Sequence, residues 1–148
     1  MGFFNIPWLS DWAVSRKEYA FIRRLWADWS PGWQPEPGVL EDVTYTLSQP
    51  GVRSAALGYY RAALSVKALL VSAEEAHYPV PAPTLALSGE RDGCIASDVF
   101  EHLIVADDFP QGVKFHRVSG AGHFLHQEKP EVVNPLLLDW LNEYSHHR

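Results

Sequence analysis

Ser119-Gly120-Ala121-Gly122-His123-Phe124 is the stretch from which this chain is read. It sets a histidine on a Gly-rich turn between an apolar strand, Val113–Val118, and an amphipathic helix over residues 131–144. A side chain in that position is held by rigid neighbours and can still reach a reacting group. About thirty residues upstream, Asp92 has a similar place. It follows a strand over residues 84–87, in the run Leu87-Ser88-Gly89-Glu90-Arg91-Asp92-Gly93-Cys94-Ile95. A histidine and an acid, each on the loop after a strand, are two parts of a nucleophile–histidine–acid arrangement. No Gly-x-Ser-x-Gly, Gly-x-Asp-x-Gly or Gly-x-Cys-x-Gly elbow occurs in the chain to supply the third.

Around these two loops, residues 79–148 read strand, helix, strand, helix. Pro79, Pro81 and Pro83 stiffen the lead-in to the first strand. A weaker helix is expected over residues 97–103. The last helix carries Val133, Leu136, Leu137, Trp140, Leu141 and Tyr144 at helical spacing. This alternation implies an α/β fold with a parallel sheet. Two parallel strands alone do not make a stable open sheet, so more strands are expected beside them.

Residues 1–78 read as helical. Ile22, Leu25, Trp26 and Trp29 form one face of a helix that Ser30-Pro31-Gly32 stops. A second helix is expected over residues 38–48, with Val39, Val43 and Leu47 on one side. Pro50 suits the first turn of a third, which would turn Val52, Ala55, Ala56, Tyr59, Tyr60 and Ala63 inward. Trp8, Trp12, Trp26, Trp29 and Trp33 are five of the six tryptophans, and they crowd this half. They suit either a core or the wall of an apolar pocket.

Composition narrows the function classes. With 148 residues and 47% apolar content, the chain can bury a real core. Its net charge of −6, with no Lys/Arg cluster, argues against nucleic acid as a partner. The single cysteine, Cys94, excludes an internal disulfide and fits a reducing compartment. No apolar run reaches membrane-spanning length, and Phe3, Phe4 and Ile6 lack the basic flank of a signal peptide. The expectation is a cytoplasmic soluble protein with no membrane partner.

The order of these pieces resembles the C-terminal half of the α/β-hydrolase fold, in the branch of epoxide hydrolases and haloalkane dehalogenases. Phe3-Phe4-Asn5-Ile6-Pro7-Trp8 is similar to the start of that branch's helical cap. Arg24-Leu25-Trp26-Ala27-Asp28-Trp29-Ser30-Pro31 is similar to the end of the first cap helix, and Tyr59-Tyr60-Arg61 to the motif before the return to the core. Pro83 to Asp92 is similar to the acid strand and loop. Gly120-Ala121-Gly122-His123-Phe124 with Glu128-Lys129-Pro130-Glu131 is similar to the histidine loop and closing helix.

The resemblance implies a cap over residues 1–78 and the last part of the hydrolase core over residues 79–148. It implies His123 as general base and Asp92 as triad acid, with Tyr60, Phe3, Phe4, Trp8, Trp26 and Phe124 binding a small apolar substrate. No cofactor and no metal are implied, and His123-x-x-His126 lacks a third ligand. Tyr60 matches a cap tyrosine that donates to an epoxide oxygen. The positions of the branch's second tyrosine fall near Phe3 and Phe4, which have no hydroxyl. The nucleophile elbow would lie before Met1, making the chain a fragment, a truncated product or a reduced relative. His126, Asp98, Asp107 and Asp108 are weaker candidates, and Cys94 reads as a small buried side chain. A rival expectation is an inactive module that binds a partner or self-associates through an open sheet edge. It implies a dimer or aggregate in solution.

Overall fold

The computed structural model describes residues 7–63 and 79–145. Phe3 and Phe4 lie outside the described residues, as does the side chain of Trp8. The chain divides into two compact units. One holds residues 1–26 and 35–76, the other residues 27–34 and 77–148.

Helices make the first unit. α1 (Pro7–Trp29) leaves helical geometry at Arg16–Tyr19, where Lys17, Glu18 and Tyr19 take positive φ. α2 (Val39–Ser48) begins after Gly38 and α3 (Val52–Ala63) shortly after Pro50. The inward face of α3 matches its apolar spacing only in part: Val52 and Tyr60 are half-buried as expected, and the side chain of Ala63 lies outside the described residues. Ala55 and Ala56 are exposed and Tyr59 is 79% exposed, whereas Leu57 is buried. The covered side holds Val52, Arg53, Leu57, Tyr60 and Arg61. Arginine is what rotates it. Asp11 accepts from Arg53 Nε at 3.3 Å and from Arg61 Nη2 at 2.7 Å, and Arg61 also donates to the Ser10 hydroxyl at 2.8 Å. Two guanidinium heads sharing one carboxylate satisfy their charge, so their aliphatic stems can cover the unit's interior. A pattern search for apolar residues cannot see such a face.

The second unit is built on a parallel pair. β1 (Thr84–Gly89) and β2 (Val113–Val118) run in register from Thr84↔Val113 to Gly89↔Val118. Between them lie α4 (Ser97–His102) and a 3₁₀ turn at Ala106–Asp108. Arg117 on β2 reaches Asp98 at 2.6 Å and Glu101 at 2.8 Å, tying α4 to the strand and accounting for Asp98. After β2 come α5 (Leu125–Glu128) and α6 (Pro130–Ser145).

Val118, Ala121 and Val133 form the buried centre, with Leu87 and Leu125 against it. Leu137, Leu138 and Leu141 on α6 are exposed. Of the helically spaced residues of α6, Val133 is buried and Leu136 and Trp140 are half-buried, whereas Leu137 and Leu141 face solvent; among the described residues the sheet has two strands. No helix of the described residues is long and apolar enough to cross a membrane.

Candidate functional site

Register brings the two loops together. Because Gly89 and Val118 are paired at the ends of parallel strands, the segments that follow leave side by side from the same carboxyl edge. That edge is where open α/β sheets place their ligands. Glu90 N–H donates to Val118 C=O at 3.0 Å and Arg91 N–H to Ala121 C=O at 2.8 Å, so the loops stay bonded beyond the sheet.

Close approach needs glycine on both sides. A Cβ on Gly89 would strike the carbonyl oxygens of Ala121 and Gly122. One on Gly122 would stand 2.6 Å from Ser30 Cα and 2.8 Å from Ser30 Oγ. Gly122→Ala should therefore destabilise the protein by about 1–3 kcal/mol, the usual cost of overpacking against backbone that cannot yield. Thermal denaturation reads this as a lower Tm, and an unchanged Tm would mean the Ser30 turn is not pressed against the histidine loop.

At the centre, Asp92 Oδ2 stands 2.9 Å from His123 Nδ1. The acid's side chain is 9% exposed and the imidazole 31%. Asp92 Oδ1 is committed elsewhere, accepting from the backbone N–H groups of Cys94 at 2.7 Å and Ile95 at 3.0 Å. This Asx-type turn fixes the carboxylate before the histidine meets it. A neutral imidazole that carries its proton on Nδ1, facing the acid, has an acceptor at Nε2. Nε2 makes no hydrogen bond among the described residues.

A third segment, Trp29-Ser30, completes the frame from within the same unit. Trp29 C=O accepts from both Gly93 N–H at 3.0 Å and His123 N–H at 3.1 Å, so one carbonyl joins the acid loop to the base loop. Ser30, fully buried, donates its hydroxyl to Glu128 Oε1 at 2.7 Å and accepts from Phe124 N–H at 3.2 Å. Glu128 also takes Phe124 N–H at 3.1 Å on Oε1 and Gly122 N–H at 2.7 Å on Oε2. Glu90 grips the front of the turn, accepting from Gly120 N–H and the Ser119 hydroxyl, each at 2.8 Å. Those donors, Gly120 first, hold the Glu90 carboxyl below its ordinary range.

Aromatic rings border the imidazole. Trp29 meets His123 edge-on with centroids 4.9 Å apart, and Phe124 does so at 5.2 Å. Trp33 stands 6.1 Å from Phe124. Of the aromatic candidates named from sequence, Phe124 is therefore beside His123, while Trp26 and Tyr60 belong to the first unit. Trp29 and Trp33 were not among those candidates, although they stand in the same tryptophan-rich segment. Ser30 and Glu128 were missed as site residues too. Ser30 read only as a helix stop, and Glu128 only as part of the closing motif.

Cys94 is half-buried, and its thiol is pushed up first by burial and then by the Asp92 charge, so it is held as the neutral thiol and not the nucleophilic thiolate. His126 is exposed on α5.

A parallel strand pair carrying an Asp–His hydrogen bond at its carboxyl edge defines a class, and comparison with known proteins gives the same one. The chain has part of the α/β-hydrolase fold. It superimposes on a thermophilic esterase from Thermogutta terrifontis with TM-score 0.61 and 27% identity, over 90% of this chain and 47% of that one. Est816, described as an N-acyl homoserine lactone degrading enzyme, matches in fold with TM-score 0.51 at 23% identity, over 88% of this chain and 50% of that one.

Within that class the chain corresponds to the C-terminal part of the fold and resembles the epoxide hydrolase branch. It is 30% identical to human epoxide hydrolase 4 over 95% of this chain and 38% of that protein. It is 25% identical to mouse epoxide hydrolase 3 over 97% of this chain and 37% of that protein. The chain thus spans well under half the length of these curated relatives. No protein-family model matches it.

Proposed function

We propose that this chain supplies the acid and the base of a covalent hydrolase that acts on a small apolar electrophile, an epoxide ahead of an ester or a carbon–halogen bond. The observation that carries the reading is the 2.9 Å Asp92–His123 pair at the carboxyl edge of the two parallel strands. The epoxide preference rests on the sequence relatives.

In this mechanism a carboxylate nucleophile, contributed from outside these 148 residues, attacks an epoxide carbon. The carbon–oxygen bond breaks toward oxygen, and a hydroxyl donor protonates the developing alkoxide; Tyr60 is the candidate for that donor. The product of this half is an ester between enzyme and substrate. His123 Nε2 then takes a proton from water, and the hydroxide attacks the ester carbonyl. The tetrahedral intermediate collapses: the departing alkoxide takes the proton held on His123, the carboxyl group gives its proton back to the hydroxyl donor, and the diol and the carboxylate nucleophile are released. Asp92 accepts from Nδ1–H throughout and stabilises the imidazolium that forms. Trp29, Trp33 and Phe124 serve as an apolar wall that accepts a flat substituent and displaces water around the imidazole. Residues 1–78 act as the cap.

The test is turnover by the full-length product of the gene on styrene oxide, p-nitrophenyl acetate and 1-bromobutane. Diol formation from styrene oxide, faster than hydrolysis of the other two, is the expected result. No turnover of any of the three by protein with an intact fold would overturn the reading.

A further inference from the structure

We infer that Glu128 is a positioning residue for His123, acting with Ser30 as a carboxylate clamp that fixes the base from behind. The inference rests on the reading of His123 as the base. Three donors converge on this carboxylate: the Ser30 hydroxyl and Phe124 N–H on Oε1, and Gly122 N–H on Oε2. Two of the three belong to the residues immediately before and after His123. The peptide groups that set the origin and direction of the imidazole are thus held by one side chain. Ser30 in turn is held on both its hydroxyl roles and sits next to Trp29, whose carbonyl takes His123 N–H itself.

A carboxylate suits this arrangement. It accepts at both oxygens and donates at neither, which is what three inward-pointing donors require. A glutamine of the same size accepts at one position and presents an N–H₂ at the other, so at least one N–H beside His123 faces a donor. The volume of the site is unchanged. What changes is the freedom of the loop, and a displacement of about 1 Å in a catalytic group can cost on the order of 10²-fold in rate.

The experiment compares the intact protein with its E128Q and S30A variants by ¹⁵N–¹H NMR of the imidazole, alongside kcat and KM. In the unaltered protein, His123 gives a single Nδ1–H tautomer whose proton exchanges slowly with water. In E128Q that resonance should broaden or vanish, with a tautomer mixture in its place. kcat should fall by about 10- to 100-fold while KM moves less than about twofold. If E128Q fails to fold, S30A decides by the same resonance, since it removes one hydroxyl and no charge. A sharp, slowly exchanging Nδ1–H in a folded variant, with kcat unchanged, would overturn the inference. A separate failure of the hydrolase reading is recognised by full turnover in H123A, and the Nδ1–H resonance still decides whether Glu128 holds the ring.

Discussion

Replacing His123 with alanine is expected to lower kcat by about 10³- to 10⁶-fold while substrate binding persists. The size follows from the role. Water is a poor nucleophile at neutral pH, and its attack on the enzyme ester is slow unless a base removes the proton in the transition state. His123 Nε2 is the proposed base, held by the Nδ1 bond to Asp92. His126 cannot substitute. It lies three residues on, exposed on α5, and among the described residues it makes no hydrogen bond to Asp92. Single-turnover kinetics on styrene oxide check the expectation, and equal turnover in the variant would remove His123 from the mechanism.

Asp92→Asn should cost about 10⁴-fold in kcat, close to the loss when the equivalent acid of a serine protease is made an amide. The comparison is clean here because the two carboxylate oxygens have separate duties. Oδ1 caps the turn through Cys94 and Ile95 N–H, and an amide oxygen does this equally well. Oδ2 faces Nδ1, where the substitution puts an N–H₂. The imidazole must then carry its proton on Nε2 and present a donor where the base is needed. The variant should melt within a few degrees of the unaltered protein. Loss of stability equal to that of Asp92→Ala would mean that the acid is structural and that its partnership with His123 is incidental.

Much of this site is legible in the sequence because its two loops follow strands with strong local signals. Thr84–Gly89 and Val113–Val118 are bounded by proline and glycine, and the turn chemistry of Asp92-Gly93 and Gly120-Ala121-Gly122 is local. The frame behind the loops is not legible in the same way. Ser30 and Glu128 are 98 residues apart, and nothing near either announces the other. A buried serine that ends a helix looks like any other stop signal, and a glutamate before Lys129-Pro130 looks like a solvated one. The face of α3 is legible only in part, for a different reason. Its covered side includes Arg53 and Arg61 meeting Asp11, a charge arrangement that hydrophobic spacing reads as surface. Trp29 and Trp33 show the limit of composition, which counts aromatics but does not say which of them stand beside His123.

The most direct test is the intact mass of the full-length protein carrying H123A after brief exposure to styrene oxide. A carboxylate nucleophile is already ionised at neutral pH and needs no base to open the epoxide, so the first half of the reaction survives the substitution. The second half, attack of water, does not. H123A is expected to accumulate one covalent adduct of the substrate's mass per molecule, whereas the unaltered protein is recovered without it. Continued diol formation by H123A with no adduct at any time would contradict the mechanism.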